Sequence, residues 1–145
     1  MSDKVEANMA TTRTALKLTH EGALRILRAG VETALKMGVP QNIVVVDEGC
    51  NLLAMVRMDG ARVLSVESAW NKARTAASTG NPTGSVEVQQ GTNLALATGG
   101  KVTNLRGGLP IKIEGQLVGG IGVGSGTGDQ DVQVAEGALT ALGQG

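Results

Sequence analysis

The sequence predicts a mixed α/β (α+β) domain, an antiparallel sheet of four to five strands flanked by helices, in the order α-β-β-α-(α)-β-β-α. Two observations carry this. Apolar, β-branched runs come in pairs, each turned at Glu-Gly: Asp47-Glu48-Gly49-Cys50-Asn51-Leu52 and Ile113-Glu114-Gly115-Gln116-Leu117. Strands joined by so short a turn must run antiparallel. Each pair is followed by a segment whose apolar residues recur every three or four positions, the period of a helix with one buried face.

Thr19 to Met37 is the first helix, with Leu24, Leu27, Val31 and Leu35 on one stripe, Thr19 as N-cap, and Gly38 then Pro40 as the stop. Asn42–Asp47 and Asn51–Met58 form the first hairpin. Strict alternation puts Leu53, Met55, Arg57 and Asp59 on one face of its second strand. A helix over Val63–Thr79 buries Val66, Ala69 or Trp70, Ala73, and Ala76 or Ala77. A second lane holds Ser65, Ser68, Lys72, Thr75 and Thr79, small hydroxyls that let an element or a ligand come close. Asn81-Pro82-Thr83-Gly84 breaks the chain. A short helix is expected over Ser85–Gln90, and a short strand could cover Thr98–Val102. Leu109–Ile113 and Gln116–Val123 form the second hairpin. The last helix starts near Asp129, with Val132, Ala135, Leu139 and Leu142 as its core stripe and Asp129 and Asp131 at its positive dipole end.

The 145 residues suit one domain, and no linker divides them: residues 1–15 read as a polar tail and 16–145 as the domain. With one Trp and no Tyr or Phe, the core is aliphatic and bases have almost nothing to stack on. Thirteen basic residues balance thirteen acidic ones, so no electrostatic footprint for nucleic acid or anionic membrane is expected. A single cysteine excludes an intrachain disulfide and a Cys-rich zinc site. Residues 1–14 lack an apolar run, and a cytoplasmic protein is expected. Half of the 22 glycines cluster at 99–100, 107–108 and 115–128, which marks tight turns and close backbone approach.

Standard catalytic templates fail. The alternating glycines from Gly120 to Gly128 contain no G-x-G-x-x-G, and Gly100-Lys101 lacks the rest of a phosphate loop. The one histidine, His20, reads as an exposed first-turn residue, Cys50 as a bystander thiol in a hairpin turn, and no metal-ligand spacing is present. What remains is Arg57, Asp59, Lys72 and Arg106. Arg57 lies in a largely apolar strand and needs a partner. One reading is a structural ion pair of Arg57 or Lys72 with Asp59. The other is a pocket for a small acid, with Arg57 binding a carboxylate and Lys72 supplying a charge or a proton.

These residues sit in a wider pattern. Val45–Leu53, Arg57-Met58-Asp59-Gly60-Ala61, Lys72-Ala73-Arg74-Thr75-Ala76, Asn81-Pro82-Thr83, Gly107-Gly108-Leu109-Pro110, Val118–Val123 and Ser125–Asp131, in that order, resemble the GlcG/HbpS family (haem-degrading, or PduO C-terminal-like, domains) over about residues 16–143. The resemblance implies a profilin-like antiparallel sheet with flanking helices and a homo-oligomer, often an octamer. It implies haem as a cofactor to test, with His20, Cys50 and the methionines as the conventional iron donors. The family usually has Gly-Gly where this chain has Gly49-Cys50. The function expected is an oligomeric binding protein for haem, a tetrapyrrole-like molecule or a small anion, its site bounded by Arg57, Arg106, Gly107, Gly108 and Ser125. The rival expectation is a cofactor-independent isomerase, hydrolase or lyase on a small organic acid in a catabolic pathway. In that reading Lys72 and Asp59 are the catalytic residues.

Overall fold

The structure, a computed structural model, describes residues 11–143. Helix α1 spans His20–Met37, strands β1 and β2 Asn42–Asp47 and Leu52–Arg57, helices α2 and α3 Ser65–Thr79 and Val88–Ala97, strands β3 and β4 Gly108–Ile113 and Gln116–Gly124, and helix α4 Gly128–Leu139. Four strands form one antiparallel sheet in the order β2-β1-β4-β3. The hairpins therefore meet through β1 and β4, the two most buried strands, and β2 and β3 take the edges.

Helices cover both faces. Ile43, Val45, Ile111, Val118, Ile121 and Val123 pack on α1 and α4 in the larger core. Val44 and Val46 pack on Ala69, Ala73 and Ala77 of α2 in the smaller one. The second layer is thin because β4 presents alternate glycines to the helix. A Cβ at Gly122 would stand 1.8 Å from the Ala69 carbonyl oxygen, and one at Gly120 2.3 Å from that of Ala73. No side chain fits there, so α2 rides directly on the strand. This is the close backbone approach that the glycine clusters imply.

Local signals explain the termini. The Thr19 hydroxyl accepts the Gly22 N–H, and Gly38 closes α1 in the left-handed conformation. Thr127 and Gln130 form a reciprocal capping box at the start of α4. Four sequence expectations are corrected. The helix expected over Ser85–Gln90 runs instead over Val88–Ala97, because the Glu87 carboxylate caps it by accepting the N–H groups of Gln89 and Gln90. Thr98–Val102 is a helix exit and turn rather than a strand. A bulge at Val45/Val46 slips the register, so Leu53 packs into the larger core with Val56 and Met58 instead of sharing a face with Met55 and Arg57. In α4 the buried stripe is Asp131, Val134, Ala135 and Ala138, one step round from the one expected.

Candidate functional site

Lys72 is the most confined of the residues singled out. It leaves α2 toward β3: a Cβ at Gly108 would lie 2.5 Å from the Lys72 carbonyl oxygen. Its Nζ donates to the Val123 carbonyl at 2.8 Å and to Asp131 Oδ2 at 2.9 Å. The two residues are 4% and 3% exposed. Asp131 Oδ1 accepts the Gly126 N–H at 3.0 Å, so its carboxylate is engaged at both oxygens. Gly107, at φ +124°, makes room: a Cβ there would lie 3.0 Å from Lys72 Nζ and 2.7 Å from the Val123 oxygen. The ammonium thus ties α2, β4 and the start of α4 together, and the partner expected for it, Asp59, is replaced by Asp131. The signal for Asp131 was its place on the helix: it falls one turn before Ala135 on the buried stripe.

The other expected residues are spread round this pair. Arg57 and Asp59 are exposed, and Arg57 makes no ion pair among the described residues. Arg57, on β2, pairs with Asn42 of β1, and β2 lies two strands from β4, a backbone separation of roughly 10 Å. With α2 lying on β4 between them, Arg57 and Lys72 do not share a pocket. The physical reason is the sheet order, which sends the first hairpin's second strand to the edge. Arg106 forms an exposed ion pair with Asp129. The Ser125 hydroxyl accepts the Arg62 N–H at 2.9 Å, pinning the loop after β2 to the end of β4. Gly107 and Gly108 are buried beneath Lys72. Together these residues form a framework at one end of the sheet.

A cavity of about 620 Å³ lies at the opposite end, where both hairpin turns meet the chain before α1. Arg13, Leu16, Glu48, Cys50, Ser78 and Leu117 are among its walls. The Leu16 N–H donates to Gln116 Oε1 at 3.0 Å, and Lys17 forms an ion pair with Glu48, so residues 13–17 are fastened to both hairpins. Part of the stretch that reads as a tail is therefore a wall of the cavity. The Glu48 hydrogen bond raises the Lys17 pKa above its ordinary value.

Cys50 enters this cavity from an unusual backbone. Its φ is 66°, the left-handed region where a side chain costs about 1–2 kcal/mol. The turn is held by Asp47, whose Oδ1 accepts the N–H groups of Gly49 and Asn51, each at 2.9 Å. Burial pushes the Asp47 pKa up, but the Asn51 and Gly49 hydrogen bonds and the Lys17 charge outweigh it and hold the carboxyl below its ordinary value. The Cys50 thiol donates to the Arg74 carbonyl at 3.5 Å, and burial raises its pKa although the Arg74 charge opposes this. Cys50 therefore lines a cavity of about 620 Å³, while His20 is exposed at the start of α1. Arg13 and Ser78 went unnoticed in the sequence because only the fold brings them to Cys50. Among the described residues no group of three or more His, Cys, Asp or Glu side chains could hold a metal ion, and no helix is long and apolar enough to cross a membrane.

An antiparallel sheet in this order, with α2 seated on a glycine-lined strand, defines a small α+β domain whose cavities lie around α2 and at the hairpin turns. Residues 18–140 match the family model described as haem degrading protein HbpS-like, and the chain belongs to that family. It is 37% identical over 112 residues to Escherichia coli GlcG, covering 77% of this chain and 84% of that protein. A Citrobacter freundii 15.0 kDa protein of the dhaT-dhaS intergenic region is 36% identical over 132 residues, 88% of this chain and 93% of that one. Among solved structures, a double mutant of Streptomyces reticuli HbpS superposes with a TM-score of 0.82 at 36% identity, covering 92% of each chain. A haem complex of PduOC superposes with a TM-score of 0.79 at 29% identity, covering 87% of this chain and 95% of that one.

Proposed function

We propose that the protein is a cytoplasmic homo-oligomer that binds haem or a related tetrapyrrole in the cavity between the hairpin turns and residues 13–17. The observation that carries this reading is the placement of Cys50 and Arg13 on the walls of one cavity of about 620 Å³, inside the ~300–1,000 Å³ usual for small-molecule sites. The donor set fits the group. Cys50 would offer a sulfur for the iron on giving up its proton and its bond to the Arg74 carbonyl, Arg13 would offer a cation for a carboxylate arm, and Leu16, Ala77 and Leu117 an apolar wall. A related structure, PduOC, is a haem complex. Haem held there would supply an iron centre for redox or ligand-binding chemistry, with Cys50 as the residue to hold it. This chain would contribute the donor atom and the cation, with residues 13–16 forming one wall of the site.

Oligomer formation is supported by exposed apolar side chains around α3. Val88 and Leu96 are 77% and 76% exposed, and Val63, Leu64 and Leu105 lie exposed as well. Only Gly91 of α3 is buried, so the helix has almost no core of its own to cover. Patches of this kind mark contacts between subunits. By family resemblance the closed form is an octamer.

Lys72 does not support the alternative of proton-transfer catalysis on a small acid, since its ammonium is enclosed by Asp131 and the Val123 carbonyl. We assign Lys72, Gly107, Gly108 and Ser125 to positioning the sheet end. The test is a haem titration followed by absorption. The protein should give a saturable Soret shift, altered in band position by Cys50→Ser, weakened by Arg13→Gln and unchanged by His20→Ala. An identical spectrum and affinity for Cys50→Ser and Arg13→Gln would place any haem elsewhere and overturn this reading.

A further inference from the structure

A separate cavity of about 610 Å³ opens on the other flank of α2, between that helix and the turn that follows α3. Trp70 and Arg74 stand one turn apart on α2, close to half a revolution from Lys72. The Arg74 guanidinium lies over the indole, 4.3 Å from the ring centroid. This stacking holds the planar fork in place and leaves most of its N–H groups free, since only Nη1 is used, donating to Asn71 Oδ1 at 3.3 Å. Across the cavity, Gly99 and Gly100 take successive left-handed conformations, φ 64° and 83°, and turn the chain so that Lys101 joins the lining. Neither Arg74 nor Lys101 has a carboxylate partner among the described residues. Glu67 is the one acidic group in the lining, which leaves an excess of positive charge.

We propose that this crevice binds a small organic dianion, a dicarboxylate held at one end by the Arg74 fork and at the other by Lys101. A planar guanidinium recognises a carboxylate through two parallel hydrogen bonds, whereas an ammonium acts as a point charge. Two cations on opposite walls suit a molecule charged at both ends, and Val66 and the indole edge suit the carbon chain between them. Glu67 disfavours a compact anion of higher charge. This site shares no lining residue with the cavity of Cys50, so it stands or falls independently of haem binding.

Trp70 is the only Trp in a chain without Tyr or Phe, so the intrinsic fluorescence comes from the wall of this crevice. The full-length protein is titrated with succinate at constant ionic strength, with acetate and inorganic phosphate in parallel. Succinate should give a saturable change with a midpoint well below those of acetate and phosphate. Lys101→Gln, at an exposed position, should raise the succinate midpoint roughly tenfold, the worth of one charge-assisted hydrogen bond. Arg74→Lys, which keeps the charge and loses the fork, should raise it by a similar factor. If Arg74→Lys fails to fold, Lys101→Gln decides alone. No saturable response to succinate, an unchanged midpoint in Lys101→Gln, or a midpoint for acetate or phosphate as low as that for succinate would overturn the assignment.

Discussion

Removing one half of the Lys72–Asp131 pair should destabilise the protein far more than removing both. The two side chains are 5% and 4% exposed and 2.9 Å apart, so either single loss strands a charge away from water. Such losses cost about 3–5 kcal/mol. Domains of this size hold ~5–15 kcal/mol in all. At about 3 °C per kcal/mol, Lys72→Met or Asp131→Asn should each lower Tm by roughly 9–15 °C. The combined variant Lys72→Met/Asp131→Asn buries no charge, and its new amide oxygen can still accept the Gly126 N–H that Asp131 Oδ1 accepts now. It should lose less than either single variant, a coupling measured by a double-mutant cycle of urea melts followed by circular dichroism. If each single change costs under about 1 kcal/mol and the two simply add, the ammonium is hydrated. Lys72 would then be free for chemistry, and the positioning role assigned to it would be refuted.

Three further outcomes follow from named contacts. Gly122→Ala should prevent folding or leave an expanded state detectable by size-exclusion chromatography, because its Cβ would fall 1.8 Å from the Ala69 carbonyl oxygen. The folded pKa of Asp47 lies below its unfolded value, so its stabilisation is present above the ordinary carboxylate range and lost as pH falls through the folded value. The stability gap between the wild-type protein and Asp47→Ala should therefore be widest near neutral pH and close below about pH 4, as read from urea melts across pH. If the protein assembles through α3 as proposed, Val88→Glu with Leu96→Glu should convert the proposed oligomer to smaller species by light scattering while leaving circular dichroism unchanged, since both side chains are exposed.

Element types were legible in the sequence because they rest on short-range physics. The Glu-Gly turns fixed the hairpins, the 3.6-residue stripe and the Thr19 and Gly38 caps fixed α1, and the alternating glycines foretold a close approach to β4. The site was less legible because it depends on sheet order. Nothing local to Arg57 says that β2 is an edge strand, yet that placement takes Arg57 away from Lys72. Asp131 is a similar case. At a helix N-terminus an aspartate is explained by the dipole alone, and only the burial of Val134, Ala135 and Ala138 on the same stripe shows that it points inward. Cys50 was visible as a departure from Gly-Gly, but its cavity is completed by Arg13 and Ser78, which no local pattern connects to it.

The glycines of β4 also explain why the cavities next to α2 lie round it and not beneath it. Side chains at positions 120, 122 and 124 would have lifted the helix and left room between helix and sheet. With hydrogen atoms there, Ser65, Ala69 and Ala73 rest on backbone and that space closes. Functional side chains of α2 can then only leave by its flanks. Lys72 departs toward β3 and is consumed by Asp131, Thr75 and Thr79 border a small cavity of about 250 Å³ with the 81–86 loop, and Trp70 and Arg74 depart on the other flank, where their charge and ring remain available. The chain thus separates a lysine that secures the fold from an arginine without a carboxylate partner among the described residues, although only Ala73 lies between them in sequence.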